Sequence, residues 1–460
     1  MIDINKYDIS EYEYRKTIEE LQKNIDTLNE EKKELETKNN EMNWKLNRLY
    51  SSIIWKISKP VRKILFHRKN SKKSENDEVY ENDYRQYPIY ESEYQDNLDF
   101  SKYKTDIKTI AFYLPQFHTF KENDEWWGKG FMEWTNTKKA VPRFEGHYQP
   151  RIPHKDIGYY TLDNKETIKR QVELAKMHGL YGFCFYYYWF SGKRLMEKPV
   201  DIFLENKDID FPFCLCWANE NWTRTWDGLN KNVLIEQKYS KQDYKKFIQD
   251  IKKYIVDDRY IKIDNKPVII IYNPNEIPNF GELCQQWRKY AREMGIGEIY
   301  LISQTVLVDT EHKFTEFVDA EYDFPPHGIG HKEAFVTGAP TKKALNYRRI
   351  VDDIGHIYKN QFNLKPFFYT CTMGWDNSAR RKEDYLVYID YALDSYYKWL
   401  RMLINETRRR NPEDRRILFI NAWNEWAEGT YLEPDEKYGY ANINTLSKAI
   451  YDIPLNKKIK

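Results

Sequence analysis

The stretch Ile417 to Thr430 reads I-L-F-I-N-A-W-N-E-W-A-E-G-T. Its first four residues, all apolar and suited to a pleated surface, predict a buried strand. That strand runs directly into Asn421, Trp423, Asn424, Glu425, Trp426 and Glu428, and Gly429 then allows the chain to turn. A strand that delivers carboxyls, amides and indoles at its C-terminal end suits a parallel α/β barrel, where chemistry sits on the loops beyond the strands.

Working outward, seven more segments share this character: Thr109–Leu114, Gly182–Trp189, Phe213–Trp217, Val268–Tyr272, Tyr300–Ser303, Ala320–Phe324 and Phe367–Cys371. With the last strand taken as Ile417–Ala422, they alternate with helical patterns at Glu166–His178, Met196–Glu205, Gln242–Ile255, Phe280–Met294, Lys343–Tyr358 and Tyr385–Arg409. Eight such units predict an α/β fold, a (β/α)8 TIM-like barrel over residues 105–455. A doubly wound open sheet is the other arrangement. It would carry a phosphate-binding glycine loop after an early strand, and neither GxGxxG nor GxxxxGK[ST] occurs.

The chain has 460 residues, of which 41% are hydrophobic, enough for a large core. Its 73 basic and 71 acidic residues nearly cancel, so no nucleic-acid partner is expected. Five scattered Cys exclude a disulfide scaffold and lack zinc-like pairing. No apolar run reaches the roughly 18 residues of a membrane span. Met1 to Ser10 is polar and carries acids, which does not read as a secretory signal.

Three segments precede the barrel. In residues 1–50, Ile18, Leu21, Ile25, Leu28, Leu35, Met42, Leu46 and Leu49 occupy a and d positions of one heptad frame, with Lys32 and Asn39 as polar a positions. This predicts an N-terminal coiled coil and a homo-oligomer. In residues 51–74, an apolar stripe with Trp55 is flanked by eight Lys and Arg from Lys56 to Lys73, the pattern of a helix lying on an anionic membrane surface. A cytoplasmic protein, peripheral on the inner face of the membrane, is the resulting expectation. Residues 75–104 invert the charge, with nine acids between Glu75 and Asp99 against the single Arg85, and predict a flexible acidic linker.

The 14 Trp, 38 Tyr and 23 Phe concentrate where the strands end. Strand one leads to Tyr113 and Gln116, strand two ends in Tyr187 and Trp189, and strand three leads to Trp217, Asn219, Glu220 and Trp222. Strand seven leads to Trp375, and strand eight to Asn424 and Trp426. Core packing explains alternate aromatics within a strand. Trp beside Asn and Glu at several strand ends instead suits a glycan: ring faces stack on the apolar faces of sugars, and amides and carboxyls bind hydroxyls. The long connection Lys121 to Gln149 carries Trp126, Trp127, Glu133 and Trp134, and is expected to wall the cleft. Glu425 and Glu428 are the candidate catalytic pair, since glycoside chemistry needs two carboxyls at one anomeric centre.

Four runs carry a resemblance: A-F-Y-L-P-Q-F-H (Ala111 to His118), W-W-G-K-G-F-M-E-W-T-N (Trp126 to Asn136), C-W-A-N-E-N-W (Cys216 to Trp222) and N-A-W-N-E-W-A-E-G-T (Asn421 to Thr430). They resemble the WbsX-like family of bacterial surface-polysaccharide clusters, over about Ile107 to Tyr451. Through E-W-x-E-G-T the chain is similar in turn to glycoside hydrolase family 99, the endo-α-mannosidases. That resemblance implies a (β/α)8 barrel, retaining chemistry, and no cofactor or metal. Glu425 would take the proton of the sugar 2-hydroxyl, and Glu428 would protonate the leaving oxygen. The implied substrate is a glycan of O-antigen or capsule type, mannose-based or lipid-linked. Hydrolysis, transfer by a glycosyltransferase or transglycosylase, and glycan binding without catalysis remain the three readings. A D-x-D donor-binding motif would favour transfer. The near-match Asp208-Ile209-Asp210 precedes a strand rather than following one.

Overall fold

The computed structural model describes residues 90–91, 93–224, 229–305, 313–326, 336, 341, 343–360 and 365–459. The expected coiled coil and basic helix, and residues 75–89 of the expected linker, lie outside the described residues.

Eight parallel strands form the centre: β1 Lys108–Tyr113, β2 Gly182–Phe190, β3 Phe213–Trp217, β4 Lys266–Ile271, β5 Tyr300–Gln304, β6 Ala320–Tyr322, β7 Phe367–Thr372 and β8 Ile417–Asn421. Each pairs in parallel with the next. Ile417 of β8 opposite Lys108 of β1 closes the ring. The strands read as apolar runs because both faces are covered, one by the barrel interior and the other by helices. All five residues of β3 and of β8 are buried.

The main helices are α1 Lys121–Trp127, α2 Glu133–Lys139, α3 Lys165–Met177, α4 Lys198–Glu205, α5 Lys241–Ile255, α6 Phe280–Glu293, α7 Tyr347–Asn360, α8 Leu393–Arg410 and α9 Ala441–Ile450. Local chemistry sets their starts. Asn164 caps α3 by accepting from the Glu166 N–H. Ser240 and Asp243 form a capping box on α5. One apolar face of α5 is buried, and its Phe247 stacks on Trp287 of α6 with ring centroids 4.5 Å apart. Burying a side chain of that size contributes about 1.5–3 kcal/mol.

Two expected helices begin later than their sequence pattern. Lys343–Asn346 is a short strand paired in parallel with Leu386–Ile389, so α7 starts at Tyr347 and α8 at Leu393. Val387 and Ile389 pack with Val336, Ala344 and Tyr385 in a satellite cluster, and that tertiary contact overrides helix propensity. Helix α9 carried no legible periodicity because nearly every residue of it is buried. The expected linker also ends earlier than residue 104. Tyr90–Glu91 pairs with Tyr391–Ala392, Gln95 exchanges backbone hydrogen bonds with Tyr438 and Tyr440, and Phe100 is buried against Tyr451. Polar and acidic residues there cover the barrel through backbone pairing, which composition does not show.

Candidate active site

A cavity of about 340 Å³ opens at the C-terminal ends of the strands. Its floor and walls come from Leu114 and Gln116 after β1, Tyr186 and Tyr188 of β2, and Ala218, Glu220, Asn221 and Trp222 after β3. Tyr272, Phe324, Trp375, Asn377, Arg380 and Arg381 follow, and Glu425 and Glu428 complete it.

The geometry after β8 places both glutamates. Asn424–Glu425 pairs antiparallel with Thr430–Tyr431, and Trp426–Glu428 forms a 3-10 turn between them. Gly429 ends the turn at φ 64°, where a Cβ would stand 2.9 Å from Cβ of Asp376. Trp423 and Trp426 lie behind this hairpin, fully buried. Their indole N–H groups donate to Glu433, at 3.1 and 2.7 Å, as do Gln171 and the Tyr160 hydroxyl, each at 2.7 Å. Burial raises the Glu433 pKa to about 7, against the lowering effect of those four donors.

The centre of the site is Arg380, on a turn after β7. Its Nη1 donates to Oε1 of Glu428 at 2.5 Å and its Nη2 to Oε2 of Glu425 at 2.9 Å. Nη2 and Nε also donate to Oε1 of Glu133 on α2, at 2.6 and 2.9 Å. One guanidinium thus joins three carboxyls from three parts of the chain. Burial works against its charge, but the carboxylates, Glu133 foremost, outweigh it and hold its pKa above the usual arginine value. Burial pushes Glu425 up to about 8, with Arg380 opposing and Glu428 adding to the rise. Burial likewise raises Glu133. Asp376 braces the same turn. Its Oδ1 accepts from the Ser378 N–H, while His147 and Gln149 reach its Oδ2 at 2.8 and 2.7 Å.

Of the residues singled out in the sequence, Gln116, Glu220, Trp222, Trp375, Glu425 and Glu428 line the cavity. Glu133 reaches it through Arg380, and Trp126 packs against Trp222 with ring centroids 5.9 Å apart. The others stand elsewhere. Tyr113 turns outward to Gln171, Tyr187 to Asp250, and Trp217 packs on Trp287 and Phe247 behind the strands. Trp189 also packs on Phe247. On β2 the cavity-facing residues are Tyr186 and Tyr188, the opposite parity to the expected pair. Asn219 bonds the backbone of Asn273, and Asn424 bonds that of Leu114, so both amides brace loops. Trp134 is buried among Phe117, Tyr160 and Trp426, while Trp127 stacks on Phe131. Arg380 carried no sequence signal, since it follows the strand end by several residues in a charged run.

The chain matches the family described as Glycosyltransferase WbsX over residues 109–446. WxcX of Xanthomonas campestris pv. campestris, described as an uncharacterized protein, is 38% identical over 350 residues, 75% of this chain and 50% of that protein. The chain therefore spans about half the length of this relative. Among solved structures, a glycoside hydrolase-like protein superposes with a TM-score of 0.52 at 15% identity, over 77% of this chain and 97% of that one, which shows a shared fold. A family 99 endo-α-mannosidase of Bacteroides thetaiotaomicron gives a TM-score of 0.45 at 14% identity, over 76% of this chain and 97% of that one. With a match spanning the whole barrel and a relative at this level of identity, the chain belongs to the WbsX glycosyltransferase family.

Proposed function

We propose that the protein is a carbohydrate-active enzyme of bacterial surface-polysaccharide metabolism that works by retaining, glycosidase-type chemistry. The observation that carries this reading is the pair Glu425 and Glu428, bound to one guanidinium at the mouth of the barrel in an aromatic cavity. A base works best with a pKa near the working pH. Burial lifts Glu425 into that range, so its carboxylate is a stronger proton acceptor than an exposed one.

In the reaction, Glu425 takes the proton of the sugar 2-hydroxyl as O2 attacks C1. Glu428 gives its proton to the departing glycosidic oxygen, and a 1,2-anhydro sugar forms. Glu428, now a carboxylate, takes a proton from water or an acceptor hydroxyl, whose oxygen opens the ring at C1. Glu425 returns its proton to O2. Two inversions give net retention. The similarity of Glu425-Trp426-x-Glu428-Gly429-Thr430 to the endo-mannosidases supports a mannose-type glycan.

The second reading is transfer, favoured by the family's description. It uses the same steps with a sugar hydroxyl in place of water. Glu428→Gln tests the chemistry. It should lower turnover of a poor leaving group by about 10²–10⁴, and that of an activated aryl leaving group far less. Equal losses on both substrates would count against Glu428 as the acid. Product analysis on the lipid-linked precursor, with and without nucleotide sugars, separates chain shortening from extension.

A further inference from the structure

The β7 side of the cavity offers hydrogen-bond donors that the protein leaves without acceptors. Trp375 is 5% exposed, yet its buried indole Nε1 has no hydrogen-bond partner. Gln116, 2% exposed after β1, two strands round the ring, has an unpartnered Nε2. Both line the cavity. Beside Trp375, Arg381 also lines it, half-buried, with its backbone N–H fixed to the Asn377 carbonyl at 3.0 Å. Among the described residues no carboxylate lies within ion-pair distance of its guanidinium. Arg380, one residue earlier, is bound to Glu133, Glu425 and Glu428, so among the described residues that line the cavity Arg381 is the cation without a carboxylate partner.

Such groups are costly unless a ligand satisfies them. An unmade hydrogen bond at a buried donor costs about 1–3 kcal/mol. Trp375 and Arg381 can only donate, the Gln116 amide adds a further donor, and the cation among them selects negative charge. Among the described residues that line the cavity, the remaining carboxylate, Glu220, stands after β3, across the ring in strand order, and accepts from Asn273 Nδ2 at 2.8 Å.

We propose that the glycan carries an anionic substituent, a sugar carboxylate or phosphate, bound by Arg381, Trp375 and Gln116 on the β7–β1 side of the cavity. This rests on the reading of the cavity as a glycan site and adds the class of sugar it takes. A neutral mannoside can accept from the indole and the amide through its hydroxyl oxygens but leaves the Arg381 charge without a counter-charge.

The test is equilibrium binding to full-length Glu425→Gln protein, so that it does not depend on turnover. The probes are methyl glucuronide, mannose 6-phosphate, and their neutral parents methyl glucoside and mannose, titrated by calorimetry at low and high salt. The acidic sugar of the correct class should bind about tenfold or more tighter than its neutral parent. That advantage should shrink in salt and vanish in Arg381→Met, while Arg381→Lys keeps part of it. The glucuronide and phosphate arms tell carboxylate from phosphate. Equal binding of charged and neutral sugars overturns the proposal. So does a preference that survives Arg381→Met, or an absence of acidic-sugar binding at millimolar concentration. Turnover of a neutral glycan without discrimination would sink this inference while leaving the glycosidase reading in place.

Discussion

The backbone N–H of Asp376 donates to the carbonyl of Glu428 at 2.6 Å, joining the turn after β7 to the turn after β8. Arg380 rides on the first turn and Glu428 on the second, so this one bond sets how the cation meets the carboxyl. Gly429 makes the approach possible, with φ 64° and no side chain facing Asp376.

Gly429→Ala should therefore cost more than the backbone conformation alone. Gly158 has a similar φ of 59°, but a Cβ there meets nothing within 4 Å. Gly158→Ala should lose about 1 kcal/mol, the left-handed penalty. Gly429→Ala should lose about 2–4 kcal/mol, because backbone atoms of Asp376 must also move. Urea unfolding of the two variants measures the difference, and only Gly429→Ala should also reduce turnover.

Arg380→Met leaves three carboxyls facing one another without their shared cation. Breaking a buried ion pair on one side costs about 3–5 kcal/mol. The carboxyls respond by binding protons more tightly, so the loss should be largest above neutrality and should shrink as pH falls. Thermal unfolding at acid and alkaline pH reads this directly. A variant equally destabilised at both would show that the loss comes from packing.

The pKa of Glu425, raised to about 8, gives a signed pH dependence. As the proposed base it must be ionised, so Glu425 should set the rising limb of kcat/KM in a bell-shaped profile, since the leaving oxygen must still receive a proton. Stability should move the other way. Between its ordinary 4.5 and about 8 the folded protein holds this proton more tightly than the unfolded chain. Stability therefore falls as pH rises through that window. Glu425→Gln should remove this slope and lower turnover by about 10²–10⁴. A pH–stability curve unchanged by the substitution would refute the assignment.

Glu433 holds the wall behind the site in place through Trp423, Trp426, Gln171 and Tyr160. Glu433→Gln puts an amide N–H where both indoles and the Gln171 amide already donate. At least one N–H then loses its acceptor, at a cost of about 1–3 kcal/mol. A lower melting temperature together with a shift in tryptophan fluorescence would show that the indoles have moved. A silent fluorescence spectrum would show that the hairpin stands without them.

How much was legible in the sequence follows from what each feature depends on. The eight strands were, because each is a short β-branched or aromatic run bounded by helical periodicity, a local property. The Glu425 and Glu428 pair was also legible, since three residues between a strand and a glycine leave little choice of place. Which side of β2 faces the cavity was not. Tyr186, Tyr187, Tyr188 and Trp189 are all aromatic and nearly all buried, and a strand covered on both faces shows no polar alternation to mark its inside. The role of Arg380 was also hidden. Its partners Glu133, Glu425 and Glu428 are 247, 45 and 48 residues away, and only closure of the barrel brings them together. Local sequence determines element type and which residues end a strand. Pairing of charges across the ring is decided by the tertiary fold, because it depends on distances that no local pattern encodes.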